Sequence, residues 1–599
     1  MDSSDNSRWH RNRERLGRSL SIGVFGVLLV ATIARIVVVD WSMPQGFDEP
    51  CHIAAGMKWV DLHDYTLDSL HPPLARDAVA IPLHLEGVHF PNFRPQDTSL
   101  QGYCTEIGNA ILNDGGHYFR NLSLARFGML PFLCIAAVIV LLWSAREAGW
   151  FAATVAAFLF LTLPSLLAFS SMAYTDLPAM CTQLACIFAF GVWLRKKTWI
   201  ASALLGLCAG LAFSSKLTSF LFLPFACAAM LAVTLGFSRV RLQNLRFRHA
   251  AQFAMAACIG FVTLWGSYGF SSGRLQTALN ISRSEEPTFH RFGIAGGILH
   301  KIVLADPIIP APDLVRGVVI AHQKNGQEPE SYLLGNEKPG GWWYFFPAAL
   351  ALKTPIPLLI LAALGVVTAV MAARRGESSS LIVLAAVIGI FVATLFVTLR
   401  VGTRHVLVLL PLLTVLAGFG SFLLARVPRK NPVWGQVALV LLLAWQAIAS
   451  IRSQPDFLAY FNEFAPSDPS KALVKGCDLD CGQDVFLLSD DLQKRGVAHV
   501  GMGIWTSADL SNLRLPPFDI LRPRQPTTGW IAVSVRALKT GKVVFCQNGH
   551  ILPDENYPED SLAWLEAYRP IARIGKTILL YYIPDTSMQT AQHTVQPSS

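Results

Sequence analysis

The sequence predicts a polytopic α-helical membrane protein with a water-exposed α/β part at its C-terminal end. Three observations predict this. Of 599 residues, 52% are apolar and only 15% are charged, where a soluble chain of this size carries about 25% charged residues. Mean hydropathy is +0.42. Apolar runs recur along the chain, many of them with the ~20 residues needed to cross ~30 Å of hydrocarbon. The same figures exclude a disordered chain, a coiled coil, a disulfide-rich miniprotein and an ordinary cytosolic enzyme.

About 11 transmembrane helices are expected, over 20–40, 122–144, 150–169, 177–194, 199–213, 217–236, 250–270, 344–372, 381–399, 405–425 and 433–451. The run 199–213 is short and implies extension or tilt. The run 344–372 is long and carries Pro355 and Pro357, which predicts a break. The first run is followed by Asp40-Trp41, with no small-residue cleavage pattern, so it reads as an uncleaved anchor.

The formal net charge of +9 is explained by membrane orientation rather than by nucleic acid. With the N-terminus inside, the inner segments are 1–19, 145–149, 195–198, 237–249, 373–380 and 426–432. These 56 residues hold 18 Lys or Arg, whereas the 81-residue loop 41–121 holds four. That asymmetry is the positive-inside rule. It predicts a cytoplasmic tail 1–19, a membrane module 20–451 and a C-terminal extracytoplasmic domain 452–599. Loops 41–121 and 271–341 also lie outside. The three long outer parts hold 81, 71 and 148 residues, half the chain, which is too much for a simple channel.

The outer segments have some legible structure. In loop 41–121, Ile53, Met57 and Val60 fall on one face of a run starting at Glu49, which predicts a helix along the membrane surface. A second short helix is expected over 74–84. The C-terminal domain should carry helices at 484–496 and 558–568, and strands at 499–500, 530–535 and 576–583. The last dozen residues are expected to fray. Six of eleven cysteines fall in spans, and Cys51, Cys104, Cys477, Cys481 and Cys546 lie outside, where disulfides are permitted. Cys51 with Cys104, and Cys477 with Cys481, are candidate pairs. A metal at Cys477-x3-Cys481 lacks a second ligand pair.

Charge at the outer ends of spans is where chemistry is expected, because it is costly unless used or solvated. Asp48, ahead of Glu49-Pro50, reads as a helix N-cap or as a general base held at the membrane surface. His71, in His71-Pro72-Pro73, is a turn residue or a substrate contact. Asp176 caps the fourth span or orients a substrate. Lys216, and Arg404 with His405, either snorkel or hold a lipid-borne phosphate. Glu285-Glu286 reads as a solvated pair, and Trp342-Trp343 as an interfacial anchor. Two carboxylates and two cations on one membrane face suit an enzyme that takes a phosphate-bearing substrate from the lipid.

An ordered series of segments carries a resemblance: GFDEPCHIAAGMKW, HPPLARD, YTDLP, SSKLT, YLLG with GGWWYFFPAALALKTPIPLL, GTRHVLVLLP and DLDCGQD. Over about residues 20–500 the chain resembles the lipid-carrier-dependent glycosyltransferases of family 39. These include protein O-mannosyltransferases and the aminoarabinose transferase of lipid A. The resemblance implies the C-type membrane glycosyltransferase fold, GT-C. It implies that Asp48 is the catalytic base, with Glu49 and Asp176 completing the acidic set. Lys216 and Arg404 then hold the carrier phosphate. From their position alone, His71 and His405 are added as candidate substrate contacts. Some bacterial relatives read DWGQD where this chain has Asp480-Cys481-Gly482-Gln483-Asp484, so Cys481 stands in an aromatic's place. The β-trefoil modules of the eukaryotic mannosyltransferases are not evident.

The expected activity is inverting transfer of a sugar from a polyprenyl-phosphate carrier to a hydroxyl or amine. The acceptor is a protein, lipid or glycan on the outer face of an inner (plasma) membrane. Membrane lipids are partners and nucleic acid is not. No cofactor is called for and no metal cluster is seen in the sequence, although scattered carboxylates leave a divalent metal open. The rivals are a transporter, which needs charges at mid-span and paired repeats, and a binding protein for a lipid-linked glycan.

Overall fold

The computed structural model describes residues 3–92, 100–237, 247–279, 301–377, 379–400, 402–426, 432–548, 550–552, 558 and 560–585. Among them, seven helices are long and apolar enough to cross a membrane. They are Glu14–Asp40, Tyr118–Leu161, Asp176–Lys196, Ser219–Gly236, Arg248–Ser267, Ile356–Arg374 and Val433–Arg452. Three shorter apolar helices accompany them: Trp199–Ser215, Ser380–Thr394 and Leu409–Ala425. Each overlaps an expected span, and Tyr118–Leu161 takes two. The chain reverses inside it at Gly149 (φ 84°, ψ 173°), a conformation open to glycine. The protein is a multi-span helical membrane protein.

The run 344–372 does break. One helix covers Phe345–Lys353 and the next starts at Ile356 with Pro355 as its N-cap. Two expected spans are shorter than anticipated. The run 381–399 ends its helix at Thr394. The run 405–425 begins at Leu409, because Thr403–Val406 winds as a 3-10 turn. The pair Glu285-Glu286, most of the basic loops 237–249 and 426–432, and the final residues from 586 lie outside the described residues.

The helix α1 (Ser3–Asp40) delivers the chain to three short helices: α2 (Glu49–Leu62), α3 (Pro73–Leu85) and α4 (Leu100–Leu112). The first nine residues of α2, Glu49 to Met57, are buried on every side, which is more than the one buried face that its apolar spacing predicts. Small residues allow this. A Cβ on Gly56 would overlap the Arg76 carbonyl of α3, and one on Gly108 would overlap the Pro50 carbonyl. A Cys51–Cys104 disulfide then ties α2 to α4.

The C-terminal part has its own apolar core around a five-stranded sheet. Its order is Ala572–Ile574, Ile578–Ile583, Gly529–Ser534, Val500–Gly503, Phe518–Ile520. Val500–Gly503 runs parallel to both neighbours, and the remaining pairs are antiparallel. The helix Val485–Lys494 forms as expected. The helix expected at 558–568 is instead a 3-10 turn, Ala563–Ala567. A second sheet places Trp505–Asp509 beside Val544–Gln547 and clamps onto the first loop. Gln45 donates to Ser507 Oγ (3.2 Å) and Asn109 to the Ser507 carbonyl (2.9 Å).

Candidate active site

The chain leaves α1 and turns at Met43–Asp48, held by one buried ion pair. Glu49 is 0% exposed and Arg126 is 1% exposed. Arg126 Nε donates to Glu49 Oε1 (2.9 Å) and Nη2 to Oε2 (2.8 Å). The backbone amides of Gly46 and Ala173 donate to the same carboxylate, each at 2.6 Å. Arg126 also donates to the carbonyls of Met43 and Pro44. The carboxylate of Glu49 therefore fastens the first loop to the segment ahead of the helix Asp176–Lys196, with no oxygen facing a cleft.

Asp48 is left beside it. Its side chain makes no capping hydrogen bond to α2, which removes the N-cap reading. Arg404 Nη1 donates to Asp48 Oδ2 at 2.6 Å, with the two side chains 18% and 28% exposed. The Asp48 amide donates to the Tyr174 hydroxyl (3.0 Å). Arg404 lies over the Tyr174 ring, 5.3 Å from its centroid. Burial raises the Asp48 carboxyl, but Arg404 and His52 outweigh that and hold it at about 2. Asp48 and Asp176 in turn hold the Arg404 guanidinium above its usual range, against the effect of burial.

The second pair is adjacent. Lys216, just after the helix Trp199–Ser215, donates to Asp176 Oδ1 at 2.5 Å. Lys216 is engaged by a carboxylate rather than snorkelling, and Asp176 is 3% exposed. His405 Nε2 is buried without a hydrogen-bond partner among the described residues. Burial, then Lys216 and Arg404, keep this imidazole well below its ordinary value.

His71 lies on the far side of Asp48. Its Nδ1 meets Asp68 Oδ2 at 2.7 Å, and its carbonyl accepts from Arg76 and from Tyr65. His52 crosses its ring edge-on, with centroids 4.9 Å apart. Burial, then His71, lower the His52 imidazole to about 3, so it is neutral. His52, Asp68 and His71 have ligand atoms within 4.8 Å of one another, as do Asp61, His84 and His89. The first group is close enough to hold a cation, but Arg76 Nη1 lies 3.6 Å from Asp68 and disfavours one there.

The turn that presents Arg404 is fixed from the C-terminal part. Asp478 accepts from the Thr403 amide (3.0 Å to Oδ2) and from Thr403 Oγ1 (2.5 Å to Oδ1). Lys353 donates to the Asp478 carbonyl at 2.6 Å. Three residues on, Cys481 is disulfide-bonded to Cys477, and the Tyr174 hydroxyl meets Cys481 Sγ at 3.1 Å. A disulfide ring thus backs Tyr174 where the related motif carries an aromatic.

Asp48 and Arg404 open into a cleft of about 660 Å³. Its walls include Gln327–Glu330, Lys475, Trp505 and Arg536. The Phe47 ring stacks on Trp505 with centroids 3.9 Å apart. Tyr174, Arg126, Asp478, Trp505 and Arg536 were not assigned roles from sequence. Arg126 had a legible signal, since a charge within an apolar span requires a buried partner.

No protein-family model and no curated protein matches this chain. Its likeness is to solved structures. The oligosaccharyltransferase AglB from Archaeoglobus fulgidus, in complex with an inhibitory peptide and a dolichol-phosphate, shares 15% identity. That alignment covers 72% of this chain and 55% of that one, with a TM-score of 0.44. ArnT from Cupriavidus metallidurans bound to undecaprenyl phosphate shares 12% identity over 93% of this chain and 97% of that one, with a TM-score of 0.45. The chain spans about half the length of the oligosaccharyltransferase.

Proposed function

We propose that this chain is a membrane glycosyltransferase of the C-type fold. It moves a sugar from a polyprenyl-phosphate carrier to an acceptor hydroxyl or amine, with inversion at the anomeric carbon. The observation that carries this reading is the Asp48–Arg404 pair at 2.6 Å, which lines the cleft beside a second pair, Asp176–Lys216. Two cations suited to a phosphate and a carboxylate suited to a proton meet at one place. The distribution of Lys and Arg supports a cytoplasmic N-terminus and a site on the opposite face.

In the resting site Arg404 occupies Asp48. The carrier phosphate draws Arg404 and Lys216 toward itself and frees the Asp48 carboxylate. The acceptor oxygen then attacks the anomeric carbon as its proton passes to Asp48. The carbon–oxygen bond to the phosphate breaks, and its electron pair leaves on the phosphate. Arg404 and Lys216 stabilise that charge in the transition state. Since the leaving group is an anion, the scheme requires neither a general acid nor a metal. Asp176 orients Lys216, and Glu49 positions the Asp48 turn.

The test is sugar transfer by purified protein in detergent, with labelled polyprenyl-phosphate sugars and a crude envelope extract. Label should move from lipid to acceptor without a sealed vesicle. Folded protein that transfers from no donor would overturn the proposal and favour the transporter.

A further inference from the structure

The cleft holds a cation that the scheme above does not use. Arg536, in the helix Val535–Thr540, lies flat on Trp505, with its Cζ 3.4 Å from a ring centroid. Phe47 is stacked on the same ring at 3.9 Å and 7°. Two groups this close to one ring must occupy opposite faces, so Phe47, Trp505 and Arg536 form a three-layer stack. The stack fixes the plane of the guanidinium before anything binds.

The guanidinium makes no ion pair among the described residues, although the charges of Asp480 and Asp48 act on it. Its Nε and Nη1 are buried without hydrogen-bond partners among those residues. Asp480 is near but spent on backbone amides: Oδ1 accepts from Gly482 (3.1 Å) and Oδ2 from Arg536 itself (3.3 Å). The other cations of the cleft are mostly paired. Arg404 has Asp48, and Lys475 has Glu337 at 3.0 Å and Glu330 at 3.6 Å. Lys542, also on the cleft wall, joins Arg536 in having no ion pair among the described residues. Glu328 faces the cleft from the rim, exposed to water. Burial lowers the Arg536 guanidinium to about 10, so it is still charged at neutral pH. An unpaired, partly buried charge is costly, and a planar guanidinium held rigid suits bidentate contact with a carboxylate or phosphate.

Asp48 and Arg404 come from the first loop and from the turn ahead of Leu409–Arg426, whereas Arg536 and Lys542 come from the C-terminal part. All four line one cleft, and Arg536 is near enough to Asp48 and Arg404 for their charges to act on it. The scheme above assigns Arg404 to the carrier phosphate, which leaves Arg536 and Lys542 for a second anion.

We propose that Arg536, assisted by Lys542, binds an anionic group that the acceptor carries beside its reacting hydroxyl or amine. The acceptor class is then a carboxylate- or phosphate-bearing molecule. This rests on the glycosyl-transfer reading, and the experiment separates the two. The envelope extract is split on an anion exchanger before the transfer assay. Label should enter the retained fraction. Arg536→Gln should raise the acceptor KM at least about tenfold while the donor KM stays within about twofold. Arg536→Lys should recover only part of the loss, because an ammonium lacks the planar fork. Label confined to the unretained fraction, or a rise in donor KM instead, would overturn the proposal. The latter would place Arg536 on the carrier phosphate.

A second measurement needs no turnover. Inorganic phosphate titrated into Arg404→Gln protein should bind, and should bind at least about tenfold more weakly once Arg536→Gln is added. Equal binding with and without Arg536 would remove the anion site. Arg536-dependent binding, with no transfer from any donor, would keep the anion site and discard the transferase.

Discussion

Asp48 and Glu49 are neighbours with opposite fates. Asp48 opens to the cleft, and Glu49 is sealed with Arg126. Asp48→Asn should lower the transfer rate by about 10²–10⁴ with folding intact, as expected when a general base is removed. Glu49→Gln should act on folding instead. Breaking a buried pair costs about 3–5 kcal/mol, so the variant should lose thermal stability in detergent. Such a variant that kept its melting temperature and lost only activity would make Glu49 a catalytic group. The pH dependence follows from Arg404. Asp48 sits at about 2, below its ordinary 3.8. The pair therefore stabilises the fold above 3.8 and loses that contribution as pH falls through 2. In the free enzyme the base is ionised throughout the neutral range. Once the carrier phosphate takes Arg404, the Asp48 value rises. The acid limb of kcat should accordingly lie at higher pH than that of kcat/KM, and coincident limbs would mean that Arg404 never leaves Asp48.

At the scale of elements, the site depends on a short turn and on close helix crossings. Thr403–Val406 is held by Asp478, which takes both the Thr403 amide and its hydroxyl. Hydrogen bonds to a buried charge are worth about 1.5–3 kcal/mol each. Asp478→Asn should therefore raise the donor KM by about tenfold or more, read by steady-state kinetics at saturating acceptor. Gly108→Ala tests the crossing of α4 on α2, since the new methyl meets the Pro50 carbonyl. Overpacking of this kind costs about 1–3 kcal/mol, visible as a lower melting temperature. Elements with a strong local signal were legible from sequence. The Pro355 break and the strand at Gly529–Ser534 follow from proline and from a β-branched run. The burial of the first nine residues of α2 on every side was not legible. Its apolar positions predict one buried face, and only the arrival of α3 and α4 covers the others.

At the scale of the molecule, the first loop is bound at both ends of its helical layer. The Cys51–Cys104 disulfide closes a separation of 53 residues. Removing it as Cys51→Ser with Cys104→Ser should cost about 2–5 kcal/mol, measured as a loss of thermal stability that reductant reproduces in the parent protein. An unchanged melting temperature in both experiments would show that the α2–α4 packing alone holds the loop. The C-terminal part then completes the cleft from above, through the contacts of Ser507 with Gln45 and Asn109.

The sequence by itself determined the membrane class, the positions of the spans and most of the residues now found together. Hydropathy is a local sum, and span-end charges announce themselves because hydrocarbon makes them costly. It also placed Asp48, Asp176, Lys216 and Arg404 on one face. Only the tertiary structure decided how they pair: Arg404 with Asp48, Lys216 with Asp176, and Glu49 with Arg126 instead of with substrate. It alone brought Trp505 and Arg536 to the cleft, from more than 450 residues along the chain. Pairing is set by distances of a few ångströms between remote segments. No local pattern encodes those distances, because charges far apart in sequence meet only after the helices have packed.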